Sequence, residues 1–149
     1  MHKPVVLAAL LLALPVAAAV PQLQAPEDVR QLLTDYLELG DVADAPAEAA
    51  FERRMRREVP ALLATEGYFS PQVVVTGSDD TLLVDVDPGV RSTVGGVRIE
   101  IVGAVDEARR EALRQGWKLK SGQPFRQADW DDAKQSLLDR KSTRLNSSH

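Results

Sequence analysis

The run Gln72-Val73-Val74-Val75-Thr76, then Gly77-Ser78-Asp79-Asp80, then Thr81-Leu82-Leu83-Val84-Asp85-Val86-Asp87 decides the fold. Its first part is β-branched, its middle is built of turn formers, and its last part largely alternates apolar with polar. That pattern predicts two strands joined as a hairpin. Leu82, Val84 and Val86 fall on one face of the second strand. A strand with a single apolar face belongs to a sheet covered on one side and wet on the other. Pro88-Gly89 then ends the strand as a type II turn, with glycine at the position that takes positive φ.

What covers the sheet lies upstream. Val20 to Gln24 is a short extended segment, and Pro26 with Glu27 and Asp28 makes a helix start. Val29, Leu32, Leu33, Tyr36 and Leu37 recur at helical spacing and form one apolar face. Gly40 and the stretch Asp41 to Pro46 break that helix. A second helix is predicted over about 47–66, with Phe51, Met55, Val59 and Leu62 on one side. Pro60 falls inside it, where a missing N–H predicts a kink or a local 3₁₀ turn. Gly67 closes the helix as a C′ residue with positive φ, and Tyr68 and Phe69 are expected to anchor that end in the core. The arginines at 53, 54, 56 and 57 read as a solvated face paired with Glu52 and Glu58.

Downstream the same order begins again. After Gly95-Gly96, Val97, Ile99 and Ile101 alternate with Arg98 and Glu100, which predicts a strand that Gly103 ends. A helix over about 106–115 follows, with Val105, Ala108, Ala112 and Leu113 inward. A loop from Gly116 to Pro124 leads to a helix over about 126–139, with Trp130, Ala133 and Leu137 on its core side. Ala25 to Arg30 lines up with Ala104 to Arg109, so the chain carries a weak internal repeat of elements.

The two ends stand apart from this pattern. His2 and Lys3 precede an apolar run from Val5 to Leu14, and small residues follow at Ala17-Ala18-Ala19. This is the order of a secretory signal peptide, residues 1–19, with cleavage after Ala19. Residues 141–149 are polar and without period; they look like non-native read-through at the end of a gene fragment and are left out of the fold.

Composition narrows the chemistry. Between residues 20 and 140 there are 15 Lys and Arg against 22 Asp and Glu, a net charge of −7, which argues against nucleic acid and anionic lipid as partners. There is no cysteine, and the two histidines are His2 and His149. Thiolate chemistry is thereby removed, and the folded region lacks the commonest general base and metal ligand. Asp79, Asp80, Asp85 and Asp87 do not make the alternating twelve-residue loop of a calcium hand. No phosphate-binding glycine loop, nucleophile elbow or zinc-protease helix occurs. The expectation is a non-enzymatic protein with no catalytic residue, no metal and no cofactor.

Several local strings carry a resemblance. Glu66-Gly67-Tyr68-Phe69 with Pro71, then Val86-Asp87-Pro88-Gly89-Val90 followed by Gly96-Val97-Arg98-Ile99-Glu100-Ile101-Val102-Gly103, resemble the junctions of POTRA domains of the Omp85 outer-membrane family. Gly122-Gln123-Pro124-Phe125, with Trp130 and Leu137, is similar to the loop and second helix of a following domain. The likeness runs over roughly 22–140.

It implies an α+β fold of tandem β-α-α-β-β modules, a first at 20–90 and a second, incomplete, at 91–140. Gly67, Tyr68, Phe69, Pro88, Gly89, Gly96 and Gly103 would be its structural junctions. It further implies an exported protein at the periplasmic face of the outer membrane, anchored by a β-barrel that these residues do not include. The partners would be unfolded outer-membrane or autotransporter polypeptides, and an inner-membrane-anchored subunit that spans the periplasm. An arrangement with the first hairpin strand outermost makes Gln72, Val73, Val74, Val75 and Thr76 the binding edge, used by β-augmentation. The other role open to such modules is that of an adaptor docking one constant partner without handling precursors.

Overall fold

A computed structural model describes residues 18–78 and 80–142. The elements run β1 (Val20–Gln24), α1 (Glu27–Tyr36), α2 (Ala45–Thr65), β2 (Gln72–Ser78), β3 (Thr81–Asp87), α3 (Glu107–Gln115) and α4 (Gln127–Ser142). The fold is α+β, and its first five elements follow the order β-α-α-β-β. The three strands form one sheet in the order β1-β3-β2, with β1 parallel and β2 antiparallel to the central β3.

Both helices lie on one face of this sheet for the reason the sequence gives: each carries an apolar stripe. Val29 and Leu33 from α1, Phe51, Met55, Val59 and Leu63 from α2, and Leu82, Val84 and Val86 from β3 make one buried cluster, joined by Val42 from the connection between the helices. Leu62 packs only at its margin; the neighbouring Leu63 takes the core position, one residue from the expected one.

Pro26 sits just outside α1, and Glu27 and Asp28 fill its first turn, where carboxylates complement the helix dipole. Asp44 caps α2 by accepting from Ala47 N–H at 2.8 Å. No 3₁₀ turn interrupts α2 at Pro60, contrary to expectation; the helix runs unbroken from Ala45 to Thr65. Met55, Val59 and Leu63 are spaced four apart and all fully buried, so packing keeps the helix continuous through a lost hydrogen bond. That bond would have used the carbonyl of Arg56, an exposed residue.

The hairpin is longer and its turn tighter than the sequence suggests. Ser78 pairs with Thr81, so Gly77 and Ser78 belong to β2 and the turn holds two residues. At the start of the sheet, Ala19 exchanges two backbone hydrogen bonds with Val42, at 2.8 and 3.0 Å. Of the expected leader, residues 1–17 lie outside the described residues.

The second unit departs further from expectation. Residues 97–101 form no strand. A strand needs a neighbour, and among the described residues nothing pairs with this one. The chain just before it bonds elsewhere: Val94 N–H donates to Gln123 O at 2.8 Å and Gly122 N–H to Val94 O at 2.7 Å. Helix α3, capped by Asp106 through Arg109 N–H at 2.8 Å, buries no residue, and Ala108 and Ala112 face solvent instead of a core. Trp130 is 39% exposed, set edge-on against Trp117 and not in a core. Leu119 and Ala133 are the buried apolar residues described after Gly89. Helix α4 continues to Ser142, two residues into the stretch read as a tail, and residues 143–149 lie outside the described residues.

Candidate functional site

Among the described residues no group of His, Cys, Asp or Glu could hold a metal ion, and the candidate site is built from backbone. Parity of the ladder decides which groups of the sheet are free. Val20 N–H donates to Asp80 O at 2.9 Å, which sets the even-numbered backbone groups of β3 toward β1. On the other side, Ser78 and Thr81 close a two-residue hairpin and must be a hydrogen-bonded pair. Thr81, Leu83, Asp85 and Asp87 therefore bond to Ser78, Thr76, Val74 and Gln72. The N–H and C=O groups of Val73, Val75 and Gly77 point away from the sheet.

The two edges are not equivalent. The outward positions at the β1 edge are Ala19, Pro21 and Leu23. Ala19 is occupied by Val42, and Pro21 has no N–H to give. Proline and a covering loop are the usual means of blunting an edge. Strand β2 contains no proline, and among the described residues no strand lies beyond it. Its side chains alternate: Val73 and Val75 pack against the core under α2, while Gln72, Val74 and Thr76 are exposed, Val74 by 53%.

Beside this edge lies a joint between the two units. Helix α2 ends in a Schellman motif: Gly67 N–H donates to Ala64 O at 3.1 Å and Tyr68 N–H to Leu63 O at 3.0 Å. Gly67 has φ +91°, and a Cβ there would stand 2.7 Å from Phe125 O. Backbone closes the joint from the other side: Ser92 N–H donates to Gly67 O at 2.8 Å and Phe125 N–H to Ser92 O at 2.9 Å. Tyr68 faces the core as expected, but Phe69 does not; it is 56% exposed and its ring lies 5.5 Å from that of Phe125.

Glu66 is the centre of the joint. Arg91 donates from Nε to the Glu66 carbonyl at 2.7 Å and from Nη2 to Oε2 at 3.1 Å. Arg126 grips the same carboxylate through Nε to Oε2 at 3.0 Å and Nη2 to Oε1 at 3.2 Å. The hydrogen bond to Glu66 and its charge hold the Arg126 guanidinium above its ordinary pKa. The Arg91 guanidinium also stands 5.7 Å from the centre of the Tyr68 ring. The sequence singled out Gly67 and its aromatic neighbours but passed over Arg91 and Arg126. Their only signal was an unpaired basic residue after each glycine- or proline-bearing junction.

The remaining junction residues separate into needed and unneeded glycines. Gly89 takes φ +68° and its N–H is held by Asp87 Oδ1 at 3.0 Å, so the positive φ expected of Gly89 is found, although residues 88–90 form no turn. Gly103 takes φ +112°. Gly96 has ordinary φ and open space where a Cβ would go. The arginine cluster on α2 is paired along its own helix, Arg56 with Glu52 at 2.8 Å and Arg57 with Glu58 at 2.9 Å. The described residues hold no group of carboxylates able to take a metal. No helix among them is long and apolar enough to cross a membrane.

No protein-family model and no curated protein matches the chain. Among solved structures, the crystal structure of Haemophilus influenzae BamA POTRA3-5 aligns with 85% of this chain at 22% identity and a TM-score of 0.43. The chain spans about half of that structure, 51% of its length.

Proposed function

We propose that this chain is the POTRA-like periplasmic portion of an outer-membrane protein assembly factor. In this reading it binds extended segments of unfolded outer-membrane or autotransporter polypeptides along β2. Residues 1–19 are its signal peptide, 20–90 its first module and 91–140 part of a second, ahead of a β-barrel. Within the Omp85 family the motifs are most like those of TamA, the outer-membrane component of the translocation and assembly module.

The observation that carries the reading is the asymmetry of the sheet, with β1 blunted by Pro21 and the Ala19–Val42 pair and β2 left open. An open edge binds through backbone, so it accepts many sequences, which is what a receptor for diverse precursors requires. An acidic surface, net −7 over 20–140, suits this role better than binding to nucleic acid or anionic lipid.

The test is site-specific photo-cross-linking in exporting cells from Val74, on the exposed face of the edge strand, and from Arg53, exposed on α2. A ladder of nascent barrel proteins trapped from Val74 and not from Arg53 is expected. One constant product from both positions would mark an adaptor that docks a periplasm-spanning partner. No product from Val74 would remove the edge from the mechanism.

A further inference from the structure

We propose that Glu66 is an orientation lock between the two units, a conformational device separate from the edge and from whatever the edge binds. Three features carry it. The carboxylate sits on the C-cap residue of α2, in the first unit. It is held by one guanidinium from the segment after β3 and by a second from the loop before α4, sixty residues away in sequence. Its side chain is 22% exposed, the least among the acidic partners of the described ion pairs, so solvent screens these contacts less than the surface pairs of α2, α3 and α4.

The units also meet through the Gly67–Ser92–Phe125 backbone bonds, the Phe69–Phe125 rings and a neighbouring approach of α2 to α4, and Asp28 and Leu32 of α1 line a recess with Glu66, Arg91 and Arg126. None of these fixes rotation about the connecting segment as the two-point Arg126 fork on the Glu66 carboxylate does, with Arg91 bonded once to the same carboxylate and once to the Glu66 carbonyl, because a fork constrains direction as well as distance. Arg91 ties Glu66 to the start of the second unit, where the chain leaves β3, and Arg126 ties it to the loop before α4. The carboxylate therefore couples the exit direction of the chain to the position of α4, and losing it releases Arg126 while Arg91 keeps its bond to the Glu66 carbonyl.

The chain has no cysteine, so nitroxide labels at Arg53→Cys and Asp132→Cys, both exposed, report one distance between α2 and α4. Pulsed electron-spin measurements on the full chain are expected to give a single narrow distance. Glu66→Gln keeps the shape and removes the charge; it should raise a second distance population on the order of tenfold, the shift that losing a coupling of ordinary size produces. Arg126→Gln should do the same, and it lies outside the first unit, so it reads the lock even where Glu66→Gln weakens α2. Glu52→Gln, which breaks a pair within α2, should leave the distribution as it was. A distribution unchanged in both Glu66→Gln and Arg126→Gln would overturn the lock.

Discussion

Gly67 shows what one residue does here. It must adopt φ +91° to complete the Schellman motif, and the place of its missing Cβ is taken by the Phe125 carbonyl, 2.7 Å away. Gly67→Ala is therefore expected to cost about 1–2 kcal/mol for the left-handed backbone alone, with a further loss from displacing Phe125. A urea titration followed by far-UV circular dichroism measures it. Gly96→Ala, in open space and with ordinary φ, should be neutral or slightly stabilising. The positive φ at Gly67 was legible in the sequence, because a glycine directly after an apolar-periodic helix has that use. The approach of Phe125 was not, since nothing local to residue 67 announces a partner so far along the chain. Asp131 gives a second test at this scale. Hydrogen bonds from Lys134, then Gln127, hold its carboxyl below the usual aspartate range. A depressed folded pKa means a contribution present at neutral pH and lost as pH falls through that lowered value. Because Asp131 is exposed, the effect on stability is small, but Lys134→Met should move its NMR titration midpoint upward.

At the scale of elements, β2 makes a prediction that side chains do not. Ladder parity protects the amides of Val74 and Thr76 by bonding to β3 and leaves those of Val73, Val75 and Gly77 facing outward. Hydrogen exchange read by NMR should therefore alternate along the strand. Adding an extended apolar peptide should slow exchange at Val73 and Val75 specifically. Uniform protection before addition would mean that the outer side is already covered. Strand identity was legible in the β-branched run and the alternation after it, and both helices from their apolar spacing. The strand order was not, because periodicity fixes which face is buried but leaves open which neighbour lies at each side. Pro60 differed in the opposite direction: a local rule predicted a kink or a 3₁₀ turn, and α2 carries no 3₁₀ turn there, with three buried residues at spacing four on either side of the proline. The segment 97–101 failed for want of a neighbour, since alternation makes a strand possible and pairing makes it real.

For the whole molecule, burial is sharply uneven. The main core draws only on residues between Val29 and Val86, whereas after Gly89 Leu119 and Ala133 are the buried apolar residues described. The faces of α3, α4 and the segment before α3 meet around a cleft lined by Ile99, Ile101, Val105, Leu113 and Leu137. Hydrophobic stabilisation scales with apolar area removed from water, at about 25 cal/mol per Å². The two units must then differ in stability, and the chain should not unfold as one two-state body. Hydrogen exchange is expected to give near-global protection for α2 and β3, with α3 exchanging through a much smaller opening. In urea the tryptophan signal, which comes wholly from Trp117 and Trp130 in the second unit, should change before the far-UV signal of the first. Leu63→Ala, at a fully buried position, separates the two events: it should lower the first unit's stability by about 2–5 kcal/mol and shift the late transition toward the early one. Coincident transitions in the parent chain, moving together in Leu63→Ala, would show instead that the Glu66 joint makes the two units one cooperative body.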